Sequence, residues 1–183
     1  MNNFEFTFIN AVDDQEHYTK ILKKIYAEEY GFTIQDNDEI HNGYHSTLVC
    51  KDNGVIIGGL SAYISDANHI DRLPMEHKGI HLDEYLELRK AQRYAEICRL
   101  GVFKAYRKYH IYTELMKRSL AFCLRIGCQG AIWIAKKYHS EFYKNEMAVV
   151  GYEVSTLAII PYTQNLNGSN PITFDYYLSY CGF

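Results

Sequence analysis

An Asn-Gly hairpin signal restricts the fold of this chain more than any other local feature. Two apolar runs, residues 46–50 and 55–63, lie on either side of Asn53 and Gly54. This pair of residues tolerates the positive φ angles that a tight turn between antiparallel strands requires. The chain is therefore predicted to contain an antiparallel pair of strands, and any fold proposed for it must include that pair.

The other periodic segments alternate between strands and helices. Alternation of apolar and polar residues predicts strands, and an apolar repeat of about 3.6 residues predicts helices. In chain order the predicted elements are strand 4–9, helix 17–30, the hairpin, strand 95–102, a helix from 111 to 127, strand 131–135, a short helix over 141–146, and strands 151–160 and 172–180. Residues 32–44 and 165–170 are polar and are predicted to form loops. This order predicts an α+β fold built around one mixed sheet.

The ends and faces of the two long helices also follow from the sequence. Asp13 or Asp14 is expected to cap the first helix, and Gly31 is expected to end it. Apolar residues that repeat at helical spacing predict the buried faces. They are Tyr18, Ile21, Leu22, Ile25 and Tyr26 on the first helix, and Ile111, Leu115, Leu120, Cys123 and Leu124 on the second.

The overall composition excludes several classes of protein. The chain has 183 residues, which fits one domain with a substantial core, and a net charge of −3, which gives no general attraction to nucleic acid or to an anionic membrane. Its longest apolar runs are strand-sized, far below the roughly 20 residues of a membrane-spanning helix. Its first residues do not resemble a secretory signal. We therefore expect a single cytoplasmic domain over residues 1–183, with no nucleic-acid partner and no membrane span.

The cysteine and histidine residues do not form a metal-binding pattern. The five cysteines are an odd set without a C-x-x-C pair, which in a chain that is not exported predicts reduced, mostly buried thiols. His41 and His45 are four residues apart, but Gly43 between them indicates a loop rather than a helix face that could hold zinc. No metal site is expected.

A long segment without strong strand patterns separates the hairpin from the next strand. This insert (residues 65–93) contains Leu73-Pro74-Met75-Glu76-His77 and a helix-like stretch over 83–93. Segments of this length inside a compact domain are more often functional than filler. We expect the insert to form a lid or a wall of a pocket.

Basic side chains gather where the strand at 95–102 leads into the following helix. Lys104, Arg107, Lys108 and His110 lie in this segment, the basic turn (residues 104–110). The first backbone N–H groups of a helix lack intrahelical partners and favour negative charge, so additional cations beside them indicate a bound anion. The alternative is a turn whose charges are simply solvated.

The order of elements resembles that of the GNAT acyltransferase superfamily over nearly the whole chain. The hairpin, a strand, the basic turn, an amphipathic helix and a further strand are followed by Phe142-Tyr143 and then by Gly151-Tyr152. The resemblance implies a three-layer fold, in which helices flank one mixed, mostly antiparallel central sheet. It also implies an enzyme that takes its acyl group from acetyl-CoA or acyl-CoA.

The same resemblance implies how the donor is held. In the family, backbone groups of a splayed central strand bind the pantetheine arm, and the matching residues are Leu100, Gly101 and Val102. The following loop, usually Q/R-x-x-G-x-G/A, cradles the pyrophosphate and aligns with Arg107, Lys108, Tyr109, His110, Ile111 and Tyr112. His110 and Tyr112 replace both small residues, and their side chains would crowd a phosphate that approaches the backbone. Either coenzyme A is held differently, or an acyl carrier protein presents the pantetheine arm without the nucleotide.

A second, narrower resemblance concerns the acceptor. Glu96-Ile97-Cys98-Arg99-Leu100 is similar to the E-x-S-R-[FL] strand of acyl-homoserine-lactone synthases and of bacterial N-acyl amino acid synthases, with Cys98 in the place of the usual serine. The segment 73–77 of the insert resembles a Leu-Pro-x-Glu-x-His/Cys piece of the latter enzymes. Together with the glycine-free phosphate loop, these features favour a longer acyl chain and a small amine such as an amino acid.

Three side chains are the candidates for chemistry. Glu96 is the candidate general base for the attacking amine, and Arg99 would orient a carboxylate, either that of Glu96 or that of a substrate. Tyr143 matches the tyrosine that protonates the leaving thiolate in many members of the family. The gap before Gly151 is longer than in the usual F-Y-x-x-x-G-F, which leaves the position of Tyr143 open. The structural alternatives are an ion pair of Glu96 with Arg99 or Arg93, and an ordinary helix tyrosine.

The sequence thus predicts an N-acyltransferase of the GNAT type that moves an acyl group from a thioester to the amine of a small molecule, with an N-acyl amino acid synthase as the favoured specific form. The runner-up is an ordinary acetyl-CoA-dependent N-acetyltransferase. The alternative from another class is a non-catalytic module that binds or senses acyl thioesters.

Overall fold

A computed structural model describes residues 3–31, 44–65, 73–76, 79–86, 92–164 and 172–183. Its strands are β1 (Phe4–Ile9), β2 (Tyr44–Asp52), β3 (Val55–Ile64), β4 (Arg93–Val102), β5 (Cys128–Lys136), β6 (Val154–Gln164) and β7 (Ile172–Gly182). Its α-helices are α1 (Val12–Tyr30), α2 (Ile111–Arg125) and α3 (Lys137–Val149). The seven strands form one sheet in the order β1-β2-β3-β4-β5-β7-β6, in which only β4 and β5 are parallel. The predicted α+β class and its mixed, mostly antiparallel sheet are confirmed.

The hairpin forms where the sequence predicts it. Asn53 and Gly54 have φ angles of 50° and 81°, and β2 pairs with β3 through Asp52 opposite Val55. Both central residues of the turn have positive φ, as a tight turn between twisted strands requires. Tyr44, the last residue of the predicted loop over 32–44, already pairs with Ile64 in the sheet. Residues 32–43 and 165–170 lie outside the described residues.

Helices and the insert cover the sheet from both sides. On one face, Leu115 and Leu120 of α2 and Met147 of α3 pack in a single buried cluster with Ile97 of β4. The side chains of β4 alternate between faces, and the opposite face is covered by α1 and by the described part of the insert. The buried residues there are Tyr18 and Leu22 of α1 with Val49, and Leu73, Met75 and Leu82 of the insert with Tyr63 and Tyr94. The fold therefore has the three layers that the resemblance implied.

The first helix differs from the prediction at its start. It begins at Val12 rather than at residue 17, and its N-cap is Ala11, which makes no side-chain cap hydrogen bond. Asp13 and Asp14 lie inside the first turn, where carboxylates stabilise the helix through its dipole without capping it. The predicted end is confirmed, since Gly31 is left-handed with φ of 71°.

The buried face of α2 is confirmed except at one residue. Ile111, Leu115, Leu120 and Cys123 are buried, whereas Leu124 is 51% exposed. The face of α2 that packs on the sheet also includes Met116 and Phe122, and Leu124 lies outside that face. The helical repeat alone assigned both Cys123 and Leu124 to the buried face, although only Cys123 of the two is buried.

Several smaller predictions need correction. The stretch 83–93 does not form one helix, because a short 3-10 helix covers Leu82–Glu84 and Arg93 already begins β4; residues 87–91 lie outside the described residues. The helix predicted over 141–146 is longer at both ends, and the strand predicted from 151 begins at Val154. All five cysteines are reduced thiols, of which four are buried, while Cys98 is half-buried.

The described parts of the chain contain no helix that is both long and apolar enough to cross a membrane.

Candidate active site

The parallel strands β4 and β5 part near the middle of the sheet. They pair from Arg93 opposite Cys128 to Glu96 opposite Ile132, and in the described residues their register ends there. Beyond this point β4 continues to Val102 beside β3, while β5 continues to Lys136 beside β7. A cleft therefore opens between residues 97–102 and 133–136. This is the splayed strand that the family resemblance implied.

A bulge in β4 adjoins this cleft. Gly59 pairs with Gly101 and Ser61 pairs with Cys98, so β4 carries one more residue than β3 between these positions. Arg99 in the bulge has a φ of 54°, a left-handed conformation that is rare for a residue with a side chain. Such strain persists where surrounding contacts impose it, and it is frequent at functional sites.

Two tyrosines of α1 bind the carbonyl groups that the bulge displaces. The hydroxyl of Tyr18 donates to the carbonyl oxygen of Arg99 at 2.7 Å, and that of Tyr26 donates to the carbonyl oxygen of Leu100 at 2.9 Å. Burial raises the pKa of both phenols well above its usual value, so both remain protonated donors. Helix α1 thus holds the bulge in place.

Close packing brings α1 near enough to β4 for these hydrogen bonds. A Cβ atom at Gly101 would lie 2.6 Å from Cδ1 of Leu22, and one at Gly59 would lie 2.8 Å from Cε2 of Tyr18. Both side chains of α1 are buried. Glycine at these two positions therefore permits the short distance between helix and sheet.

Glu96 is buried beside the last register pair of β4 and β5. Its side chain is 5% exposed, and its Oε2 accepts a hydrogen bond of 2.8 Å from the backbone N–H of Met75. A carboxylate with a backbone donor is held in one orientation. The insert is thereby attached to the central strand at the residue that the sequence identifies as the candidate base. His77, the last residue of the Leu-Pro-x-Glu-x-His/Cys-like piece, lies outside the described residues.

A polar cluster lies next to Glu96 on the same rows of the sheet. In register, Tyr63 of β3 is opposite Glu96, and His45 of β2 is opposite Tyr63. The His45 ring stacks on the Tyr63 ring with centroids 5.0 Å apart, and Cζ of Arg99 lies 5.6 Å from the centroid of Tyr63. A cation and an imidazole thus contact the phenol that lies opposite the buried carboxylate, and such a group of side chains can bind the polar groups of a small acceptor.

His45, which the sequence analysis left between the predicted loop and the first hairpin strand, belongs to β2. Burial and the neighbouring charge of Arg99 lower its pKa, so the imidazole is neutral near pH 7. His41, the other histidine considered for a zinc site, lies outside the described residues. The strand register places His45 in one row of the sheet with Tyr63 and Glu96.

The basic turn forms a short 3-10 helix, Lys104–Tyr109, and ends at His110. His110 has a φ of 55°, the left-handed conformation that glycine adopts more readily, at the position of the first glycine of the family loop. Tyr112, at the second small position, donates from its hydroxyl to the carbonyl oxygen of Val102 at 3.4 Å. Ile111 is buried in the core, whereas the side chains of Lys108, Tyr109 and His110 are exposed.

Arg107 is bound within the protein rather than simply solvated. Its Nε donates to the carbonyl oxygen of Val102 at 3.1 Å, and its guanidinium forms an ion pair with Glu29 of α1. The Glu29 carboxylate also accepts a hydrogen bond of 2.7 Å from the backbone N–H of Lys104. The sequence analysis missed Glu29, which lies 78 residues from Arg107 along the chain. No local pattern links two residues at that separation.

Helix α3, which carries Tyr143, contacts the end of the basic turn. The additional residues before Gly151 extend α3 to Val149, and Gly151 follows with a φ of 89°. The Glu146 carboxylate accepts a hydrogen bond from the hydroxyl of Thr113 in α2, and it lies 4.0 Å from Nδ1 of His110. Glu146, also absent from the sequence prediction, therefore joins α3 to the end of the basic turn.

Tyr143 and His139 occupy the first turns of α3. Their rings stack with centroids 6.3 Å apart, and Tyr143 is half-buried against the core. Burial, followed by the charges of Lys136 and Arg107, lowers the pKa of His139. The start of α3 therefore lies within electrostatic range of Arg107 in the basic turn.

Comparison with known proteins agrees with this geometry. The model of the family described as Acetyltransferase (GNAT) family matches residues 11–146, which is more than half of the chain. The chain belongs to this family. The predicted enzyme class, an N-acyltransferase of the GNAT type, is therefore confirmed at the level of the family. A search of curated proteins found no sequence that matches this chain.

Solved structures share the fold at low sequence identity. FeeM, an N-acyl amino acid synthase from uncultured soil microbes, is 12% identical with a TM-score of 0.70, and the match covers 100% of this chain and 92% of FeeM. Arabidopsis thaliana NAA60 in complex with acetyl-CoA is 17% identical with a TM-score of 0.67, and the match covers 97% of each chain. Escherichia coli ElaA is 14% identical with a TM-score of 0.63, with 97% and 99% covered.

Proposed function

We propose that this GNAT protein transfers an acyl group from a thioester in the β4–β5 cleft to a small amine that approaches Glu96. The observation that carries this proposal is the parting of β4 and β5 at the register pair that contains the buried Glu96 carboxylate. A thioester in the cleft would lie beside this carboxylate and the bulge at Arg99. We further propose that residues 1–183 form one acyltransferase domain, with the insert at about 65–93 covering the acceptor side.

In the proposed reaction, the neutral amine attacks the thioester carbon, and the carbon–sulfur bond breaks after a tetrahedral intermediate. Glu96 takes the proton that the amine nitrogen loses, directly or through one water molecule. Its hydrogen bond from Met75 orients the carboxylate toward this task. Arg99 provides a guanidinium for a carboxylate of the acceptor, which supports an amino acid or a similar acidic amine.

Tyr143 is the proposed general acid for the leaving thiolate. Its hydroxyl would protonate the sulfur or donate a hydrogen bond to it as the negative charge develops. Contact of α3 with α2 through Glu146 and Thr113, and with the end of the basic turn through Glu146 and His110, supports a fixed position for Tyr143 beside the donor. The proposed donor contacts are the backbone of Leu100, Gly101 and Val102, and the residues Arg107, Lys108, Tyr109, His110, Ile111 and Tyr112.

The acyl chain is proposed to be longer than acetyl. Apolar side chains lie half-buried beside the cluster formed by the insert, and Ile134 among them belongs to the stretch of β5 that lines the cleft. The others on this surface are Leu86, Leu157, Ala158 and Ile160. Each buried methylene of an acyl chain would contribute about 0.8 kcal/mol. Acyl-CoA is the default donor, and an acyl carrier protein is the alternative that the glycine-free loop favours.

Incubation with a defined pool of donors and amines tests the proposal. Acetyl-CoA, long-chain acyl-CoA and a long-chain acyl carrier protein would each be mixed with an amino acid pool, and N-acyl products would be read by mass spectrometry. We expect long-chain N-acyl amino acids. Products from acetyl-CoA alone would support the runner-up, an ordinary acetyl-CoA-dependent N-acetyltransferase, which the similarity to the acetyl-CoA complex of NAA60 favours.

A non-catalytic module that binds acyl thioesters is the remaining candidate. It is favoured by His110 and Tyr112, which would crowd a phosphate at the backbone of the loop. The wild type would then bind a thioester without forming any product. Tyr143→Phe separates the two cases further, since it would slow transfer in an enzyme and would leave thioester binding by a sensor unchanged.

A further inference from the structure

The carboxylate of Glu29, a residue of α1, binds two residues of the basic turn. One of its oxygens accepts the backbone N–H of Lys104 at 2.7 Å, and the other pairs with the guanidinium of Arg107. The Glu29 side chain is 12% exposed and that of Arg107 is 30% exposed, so water screens this pair only in part. An anion supplied by the protein itself therefore lies at a basic segment that faces the donor.

This arrangement changes what the basic turn can bind. Arg107 is the cation that the chain shares with the family loop, and its charge is already compensated by Glu29. The carbonyl group of Val102 is likewise occupied by Nε of Arg107 and by the hydroxyl of Tyr112. A diphosphate beside Arg107 would meet the negative charge of Glu29, and two like charges a few ångströms apart repel each other when water screens them poorly.

We propose that Glu29 is a specificity-determining residue that disfavours donors with a diphosphate and favours an acyl thioester whose pantetheine arm carries less negative charge than coenzyme A. This proposal rests on the proposed function, which puts the donor in the cleft beside the basic turn. Glu29 acts by neutralising the charge of Arg107. The remaining cations of the turn, Lys104 and Lys108, are exposed to solvent, where salt screens their charges.

A pair of isosteric variants isolates this charge. Glu29→Gln removes it, and Glu28→Gln is the matched control, because Glu28 lies in the same helix with a side chain that is 56% exposed and 3.9 Å from Lys24. Both variants change the net charge equally. For each protein, calorimetry would measure the Kd of inorganic pyrophosphate and of coenzyme A, and steady-state assays would compare kcat/KM for an acyl-CoA and the matching S-acyl-pantetheine.

We expect Glu29→Gln to bind pyrophosphate and coenzyme A about tenfold more tightly than the wild type, and to raise kcat/KM for acyl-CoA but not for S-acyl-pantetheine. Glu28→Gln should match the wild type. The gain should shrink as ionic strength rises, and adding Arg107→Gln to Glu29→Gln should remove it. If the ion pair of Glu29 with Arg107 only stabilised the fold, Glu29→Gln would show neither the salt dependence nor the difference between the two donors.

Two results would overturn the proposal. One is a Glu29→Gln protein that binds pyrophosphate no better than Glu28→Gln, or that uses both donors less well by the same factor. The other needs no variant: a wild type that uses acyl-CoA more than tenfold better than S-acyl-pantetheine at low salt. If no donor reacts but Glu29→Gln still binds pyrophosphate more tightly, the proposed function fails while the role of Glu29 stands.

Discussion

Arg99 combines a strained backbone with a charged side chain at the edge of the cleft. Its φ of 54° belongs to the bulge of β4, and its carbonyl oxygen accepts the hydroxyl of Tyr18. A left-handed conformation costs a residue with a Cβ atom about 1–2 kcal/mol, a cost that glycine avoids. The chain keeps an arginine here in spite of that cost, which supports a functional role for the guanidinium.

Two substitutions separate the strain at Arg99 from its charge. Arg99→Gly and Arg99→Ala both remove the guanidinium, but only glycine relaxes the left-handed φ. We expect Arg99→Gly to be more stable than Arg99→Ala by about 1 kcal/mol in urea denaturation, while both lose acyl transfer to a similar extent. Equal stabilities would show that the positive φ is not retained in solution.

His45 provides a pH-dependent signature of the polar cluster. Burial and the charge of Arg99 lower its pKa below the usual value of about 6.5. The unfolded chain therefore binds the proton more readily, so His45 contributes to a loss of stability as the pH falls through about 6.5 toward the lower folded-state pKa. NMR titration of the imidazole should give this low pKa, and Arg99→Gln should raise it. An unchanged titration in Arg99→Gln would mean that the two side chains are not neighbours.

Most individual elements could be predicted from the sequence, because each has its own periodicity and its own turn residues. The hairpin at Asn53-Gly54 and the end of α1 at Gly31 are examples, and both depend on local φ preferences. Contacts between distant elements could not be predicted. The bonds of Tyr18 to Arg99 and of Glu29 to Arg107 join residues 81 and 78 positions apart, and a single sequence contains no local signal for them.

The close packing of α1 on β4 is testable at Gly101. A Cβ atom there would lie 2.6 Å from Cδ1 of the buried Leu22, so the core between α1 and the bulge would have to repack. We expect Gly101→Ala to lower the free energy of unfolding by about 1–3 kcal/mol and to reduce acyl transfer, measured by urea denaturation and by a thioester assay. Gly182→Ala is the control, because its Cβ would come no nearer than 3.3 Å to Tyr180. Equal costs in the two variants would contradict the packing described for α1.

Two groups of elements meet at one place in the sheet. Helices α2 and α3 and the basic turn hold the side that would receive the donor, while α1 and the insert hold the side of Glu96, Arg99 and His45. The two sides meet where β4 leaves β5. The family match over residues 11–146 includes α1, the insert, the basic turn, α2, β4, β5 and most of α3, and it leaves out β1, β6 and β7. In the proposed function, the first group of elements would hold the thioester and the second would select the amine.

The most direct test of this account is the rate of N-acyl transfer by Glu96→Gln under saturating donor and amine. Glu153→Gln, the same chemical change at an exposed residue, is its control. Loss of a general base typically costs about 10²–10⁴-fold in rate, so we predict a fall of at least about a hundredfold in Glu96→Gln, with thioester binding retained and Glu153→Gln unaffected. Transfer at the wild-type rate in Glu96→Gln would contradict the central claim that this buried carboxylate accepts the proton of the attacking amine.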